Sequence, residues 1–234
     1  MNKNLRREAD LLYLLLATLF TASLITCNLI ANKFISIELG LHFISPDWWS
    51  KTFYISAGVL PYPITFLITD VLSEIYGRKK TNQVVVMGFV ASIFTLGILW
   101  AGAQFPAITA SPVSDRVFDE AFGNSWRVIG ASMVAYLSAQ LVDVRLFHFW
   151  KGVTKGKHLW LRNNASTIGS QFIDTTLVVL VLFLGVKGAS ELKNLIIDGW
   201  VFKVICALLD TPIAYLLIYF IRKRYHLKIG GEIK

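Results

Sequence analysis

Charge is scarce in this chain. Only 16% of its 234 residues are Asp, Glu, Lys or Arg, against about 25% in an ordinary soluble domain. The hydrophobic share is 55% and the mean hydropathy +0.57, too apolar for a water-exposed surface, which excludes most soluble enzymes. Cysteine is nearly absent: Cys27 and Cys206 stand far apart inside apolar segments, so a disulfide-stapled secreted module is excluded and both read as buried filler. The four histidines, His42, His148, His158 and His226, all miss the middle of the apolar runs, and a serine-type intramembrane hydrolase is left without its base. No GxxxxGK[ST] phosphate loop occurs. Neither an enzyme, a cofactor nor a metal site is expected.

What is present is a set of long apolar runs, and about 20 residues suffice to cross the hydrocarbon core as a helix. Six runs can be drawn, at about 11–34, 52–76, 81–103, 125–150, 163–185 and 199–221. The first, after Asn2-Lys-Asn-Leu-Arg-Arg-Glu, is too long for a signal peptide and lacks a small-residue cleavage site, so it reads as a retained helix. The expected fold is all-α: a polytopic membrane protein of six transmembrane helices forming one integral domain over residues 1–234. With the N-terminus in the cytoplasm, 16 of the 23 Lys and Arg residues fall in inside loops and tails. The exceptions are Lys33, Lys51, Arg116, Arg127, Lys187, Lys193 and Lys203. This bias predicts that both termini are cytoplasmic. It also accounts for the net charge of +8 without nucleic acid, which would need basic residues gathered on one solvated face.

The longest loop, about 104–124, is acidic and proline-bearing, with room for a short surface helix. Ala189 to Gly199 places Leu192, Leu195 and Ile196 on one helical face, suited to lying flat at the outer interface. Trp48, Trp49, Trp100, Trp126, Trp150, Trp160 and Trp200 cluster near segment ends, as interfacial anchors do. Gln140-Leu-Val-Asp143 echoes Gln171-Phe-Ile-Asp174, and a three-plus-three split would invert the halves as in inverted-repeat transporters.

The telling residues are the charges inside these runs, each costing at least about 2.5–3.5 kcal/mol to insert. Asp70 and Glu74 lie in the second run, Asp143 in the fourth, Asp174 in the fifth, Lys203 and Asp210 in the sixth. At 100° per residue they form stripes: Asp70 with Glu74; Tyr136, Gln140 and Asp143; Asn164, Thr167, Gln171 and Asp174; Lys203 with Asp210; Asn28 with Asn32. Polar stripes on five helices converge most economically on a shared cavity. The competing reading is interhelical glue, which fits one such residue better than the whole set. Counted against Lys203 alone, the acids leave a negative cavity suited to a cation, a proton or a donor-rich ligand. Pro61 and Pro63 at mid-run, and Pro212 beside Asp210, suggest broken helices whose freed carbonyls line a site. A cation channel or ion-binding protein using the acidic site is the alternative.

The runs Pro61-Tyr-Pro-Ile-Thr-Phe-Leu-Ile-Thr-Asp70-Val-Leu-Ser-Glu74-Ile-Tyr-Gly77-Arg78, Gln140-Leu-Val-Asp143-Val, Arg162-Asn-Asn-Ala-Ser-Thr leading to Gln171-Phe-Ile-Asp174, and Phe202-Lys203-Val followed by Leu209-Asp210-Thr-Pro212 resemble the queuosine-precursor transporters. These are bacterial inner-membrane proteins also described as vitamin uptake transporters. The resemblance covers nearly the whole chain. It implies secondary import, with proton coupling a further option, of a 7-deazaguanine base: 7-cyano-7-deazaguanine, 7-aminomethyl-7-deazaguanine or queuine. Its guanine-like edge suits a carboxylate and an amide. Carried over motif by motif, Asp70, Glu74, Gln171 and Asp174 form the core of the expected site. Asn28, Asn164, Gln140, Asp143, Lys203 and Asp210 support it, and Tyr62, Phe66, Tyr136 and Phe172 offer stacking faces. The implied partners are this purine-like substrate and the lipid bilayer, with a homodimer as an open option.

Overall fold

The computed structural model describes residues 3–31, 33–38, 52–123, 126–183 and 188–233. Its helices are α1 (Lys3–Leu29), α2 (Tyr62–Ile75), α3 (Gly77–Ala103), α4 (Asp115–Phe122), α5 (Trp126–Val153), α6 (Leu159–Phe183) and α7 (Ala189–Tyr225). Among the described residues, four segments are long and apolar enough to cross a membrane: α1, Ala57–Ile75, α3 and α7. Large apolar side chains such as Leu14, Met87, Phe94, Leu209 and Phe220 point outward, whereas Thr65, Asp70, Glu74, Gln140, Asp143, Ser170 and Gln171 are buried. Apolar outside and polar inside is the arrangement that a lipid solvent selects.

The all-α expectation needs one amendment. Strands β1 (Phe34–Glu38) and β2 (Thr52–Ser56) pair antiparallel, Phe34 opposite Ser56 and Glu38 opposite Thr52. The apolar run at 52–76 is therefore three pieces: β2, a 3-10 turn at Ala57–Val59, and α2. Thr-Phe-Tyr-Ile favours an extended chain, and a short apolar run does not itself distinguish strand from helix. Ile55 seats the ribbon on Phe202 of α7, and the Ser56 hydroxyl donates to the Ala31 carbonyl at 2.6 Å while accepting from the Gly58 amide at 3.1 Å.

The proline expectations also change. Pro61 caps α2 and Pro63 sits in its first turn, where the missing amide hydrogen has no helical partner to lose. They start the helix instead of breaking it. Pro212 lies inside α7, which runs through it over 37 residues, so Ala189 to Gly199 forms its first turns and is not a separate surface helix. The loop helix is α4, capped by Ser114 and without buried residues. Asn32, Trp48 and Trp49 lie outside the described residues.

The apolar core joins Phe20 and Leu24 of α1, Leu72 and Ile75 of α2, Val84 and Val85 of α3, Phe147 of α5 and Ile218 of α7. Both chain ends meet at one end of the bundle. Arg224 pairs with Glu8 at 2.7 Å, the Tyr76 hydroxyl donates to Ala9 O at 2.7 Å, and the Ile233 amide donates to Ile75 O at 2.7 Å. Cys27 and Cys206 are both free thiols.

Candidate functional site

Helices α2, α6 and α7 line a partly open cavity; the space between its walls, counted together with the open solvent at its mouth, is about 400 Å³. From α2 come Val59 just before it, then Tyr62, Pro63, Phe66, Leu67 and Asp70; from α6, Asn163, Thr167 and Gln171; from α7, Lys203, Cys206, Ala207 and Asp210. Four-residue spacing explains each set: Tyr62, Phe66 and Asp70 recur on one face of α2, and Asn163, Thr167 and Gln171 on one face of α6. Gln171 is 1% exposed, yet neither its amide nitrogen nor its carbonyl oxygen has a hydrogen-bond partner among the described residues. Asp70, also 1% exposed, keeps Oδ1 unpartnered, as does Asn163 with its carbonyl oxygen. Buried polar atoms are nearly always satisfied, so open donors and acceptors around one cavity are what a polar ligand requires.

One wall is aromatic. Tyr62 meets Tyr136 of α5 edge to face with centroids 5.4 Å apart, and Phe66 packs against both. The Lys203 ammonium lies 4.5 Å from the Tyr62 ring centre and 2.6 Å from Asp174 Oδ2. Asp174 is thus held by α7 rather than offered freely to the cavity. Behind the aromatic wall, Gln140 donates to the Tyr136 hydroxyl at 2.9 Å and lies near Thr65 and Thr69, so its amide is already engaged. Asp143 accepts from the Ser170 hydroxyl at 2.9 Å.

Of the residues expected in the site, Asp70, Gln171, Lys203, Asp210, Tyr62 and Phe66 line the cavity, while Asp174 and Tyr136 stand immediately behind it. Others are placed elsewhere. Asn164 faces Thr211 of α7, donating at 2.8 Å. Phe172 is 48% exposed and packs on the edge of Trp200. Asn28 is half-buried near the end of α1 and does not line the cavity.

Glu74 departs furthest from expectation. It sits one turn beyond Asp70, is 0% exposed, and belongs to a separate charge cluster. Arg162 Nη2 of α6 lies 3.0 Å from its Oε2, Arg222 of α7 pairs with its Oε1, and Lys151 of α5 lies 3.7 Å away. Lys151 also reaches Glu232 of the C-terminal tail at 2.8 Å. Reading Lys203 as the sole interior cation therefore missed Arg162, itself 0% exposed. The available signal was position: Arg162 directly precedes the polar stripe of α6, and Glu74 ends the stripe of α2.

Residues 56–217 match the protein family described as "Putative vitamin uptake transporter". The "Probable queuosine precursor transporter" of Bacillus subtilis (strain 168) is 31% identical over 159 residues, covering 68% of this chain and 69% of that protein. No solved structure matches the chain. The matched span holds every residue lining the cavity, together with Glu74, Lys151 and Arg162, and ends before Arg222 and Glu232. This multi-pass membrane protein belongs to the vitamin uptake transporter family.

Proposed function

We propose that the protein is a single-domain transporter of the bacterial inner membrane that imports a queuosine precursor. In this reading α1, α2, α3, α5, α6 and α7 cross the bilayer, both termini are cytoplasmic, and transport is secondary, driven by the proton gradient. The cargo is a 7-deazaguanine base: 7-cyano-7-deazaguanine, 7-aminomethyl-7-deazaguanine or queuine. Its adjacent ring N–H and amino donors face the Asp70 carboxylate, its carbonyl takes the Gln171 amide, and its ring lies against Tyr62 and Phe66. Asp174, Lys203 and Asp210 set the charge around it. Glu74, Asp143, Gln140 and Asn164 hold the helices that form the site.

The observation that carries this reading is the pair of buried, unsatisfied groups at Gln171 and Asp70 in the wall of one cavity. The relative's name supplies the class of cargo. Two of the five interior acids, Glu74 and Asp174, are paired with cationic side chains, which leaves Asp70, Asp143 and Asp210 as the acids on which the ion-channel alternative would have to rest.

The test is uptake of labelled 7-deazaguanines by cells that cannot make them, read also as restored tRNA modification. Asp70→Asn and Gln171→Ala, inserted at normal levels, are expected to weaken apparent affinity about 10- to 100-fold, as loss of hydrogen bonds to a charged or buried group does. Normal uptake in both variants would remove the cavity from the transport route. Uptake into proteoliposomes that ignores an imposed pH gradient would remove the proton coupling alone.

A further inference from the structure

We propose that the C-terminal tail, from Leu227 to Ile233, is a strap that seals the cytoplasmic mouth of the transport cavity, latched by Glu232 onto Lys151, and that it lifts to release cargo. The direction of release rests on the transporter reading above; the latch rests on its own contacts.

Helix α7 is capped by His226, whose left-handed backbone (φ 52) turns the chain back beneath the bundle. Gly230 (φ 75) then passes against Gly156 (φ 76) in the α5–α6 loop, so closely that a Cβ on Gly156 would sit 3.0 Å from the Gly230 Cα. Two glycines in left-handed conformations allow the two backbones to touch. Further on, the Ile233 amide donates to Ile75 O at 2.7 Å and its side chain is buried in the core. Between these points the Glu232 carboxylate reaches Lys151 Nζ at 2.8 Å and fills the space left by the missing side chain of Gly77.

The strap covers the end of the helices that line the cavity. Asp70 borders the cavity and Glu74, one turn on, enters the charge cluster. Asn163 borders the cavity and Arg162 beside it enters the cluster. On α7 the cavity ends at Asp210 and the cluster begins at Arg222. Any movement of α2, α6 or α7 that passes cargo inward must disturb this cluster, and Lys151 links the cluster to the strap by bonding both Glu74 O, at 3.3 Å, and Glu232. The fastening is built to come undone at one side. Glu74 and Arg162 are wholly buried, but the Glu232 side chain is 39% exposed and Ile229 71% exposed. Water reaches Glu232 although Lys151 is only 10% exposed, so this pair is screened more than the wholly buried one.

The experiment uses Cys206, a natural thiol in the cavity wall, as reporter in a Cys27→Ser protein, with a membrane-impermeant maleimide applied to inside-out and right-side-out vesicles. Labelling is read at Cys206 by peptide mass. Glu232→Gln in the full chain, and truncation after Lys228, are expected to raise Cys206 labelling severalfold from the cytoplasmic face only. In a second arm, Lys151→Cys combined with Glu232→Cys is joined by a short, reducible bis-thiosulfonate cross-linker, which replaces the length lost with the Lys and Glu side chains and so does not require the two sulfurs to reach each other directly: the bridge should suppress cytoplasmic labelling and stop uptake, and reductant should restore both. Unchanged labelling in both strap variants, a rise from the outer face, or uptake that persists with the bridge closed would each overturn the proposal. Labelling needs no cargo, so strap-dependent labelling in a protein that ignores every 7-deazaguanine would sink the cargo assignment and leave the strap standing.

Discussion

Arg162 is the buried counter-charge of Glu74: Nη2 lies 3.0 Å from Oε2, and neither residue exposes any side-chain surface. Removing one member of a buried pair strands the other, at about 3–5 kcal/mol. The two removals are not equivalent here. Arg162→Leu leaves Glu74 with Arg222 and Lys151, whereas Glu74→Gln takes away the acid that Arg162, Arg222 and Lys151 share, and Lys151 keeps Glu232. Thermal unfolding of the detergent-solubilised protein is expected to rank Glu74→Gln as the more destabilising, with Glu74→Gln/Arg162→Leu recovering part of the loss. Equal or reversed ranking would show that the cluster is not organised around Glu74.

The Lys203–Asp174 pair, at 2.6 Å and nearly buried, separates structural from transport roles. Lys203→Met alone should destabilise the protein by roughly 3 kcal/mol because Asp174 keeps an uncompensated charge. Adding Asp174→Asn should return most of that stability. If the pair only joins α6 to α7, the double variant also regains uptake; if its charge orients cargo beside Tyr62, stability returns and uptake does not. The second outcome is expected, since Lys203 lines the cavity and lies over the Tyr62 ring.

Gly77 combines two constraints. Its φ of 79° is in the left-handed region, and a Cβ there would overlap the Glu232 carboxylate. Gly77→Ala should therefore lower stability by about 1–2 kcal/mol from backbone strain alone, plus the loss of the Glu232 seat. In a Glu232→Ala background only the backbone part should remain, so the effect of the same substitution in thermal unfolding should shrink. An unchanged effect would place all of it in the backbone.

The sequence made the interior charges legible because charge inside an apolar run is expensive and so rarely incidental. Asp70, Lys203 and Asp210 were recognised in this way, and they do share a cavity. Helical spacing found Gln171 as well, but it merged two faces of α6: Asn163 turns to the cavity while Asn164, one residue on, turns to Thr211. Periodicity gives a stripe, and only packing decides which edge of it meets which neighbour. Arg162 was hidden for a different reason. Positive residues at segment ends are what membrane topology alone demands, so a basic residue there carries no sign of being buried. The ribbon at Thr52–Ser56 was hidden because five apolar-leaning residues adjoining a helix extend its apolar run without interruption. Glu232, twenty-odd residues past the last cavity residue, could be connected to Lys151 only by the fold.

Two aromatic residues proposed from sequence as stacking faces now part company. Tyr62 lines the cavity beside Phe66 and Tyr136, whereas Phe172 is 48% exposed and packs on Trp200 at the bundle surface. Base-on-ring stacking is worth about 1–3 kcal/mol by alanine substitution, equivalent to roughly 5- to 150-fold in affinity. Tyr62→Ala is accordingly expected to raise the KM for a 7-deazaguanine by about tenfold or more, while Phe172→Ala stays within about twofold of the wild type. Competition uptake at matched expression measures both. A large effect at Phe172 with none at Tyr62 would move the cargo to the lipid-facing side of α6, and the cavity between α2, α6 and α7 would lose its claim to the substrate.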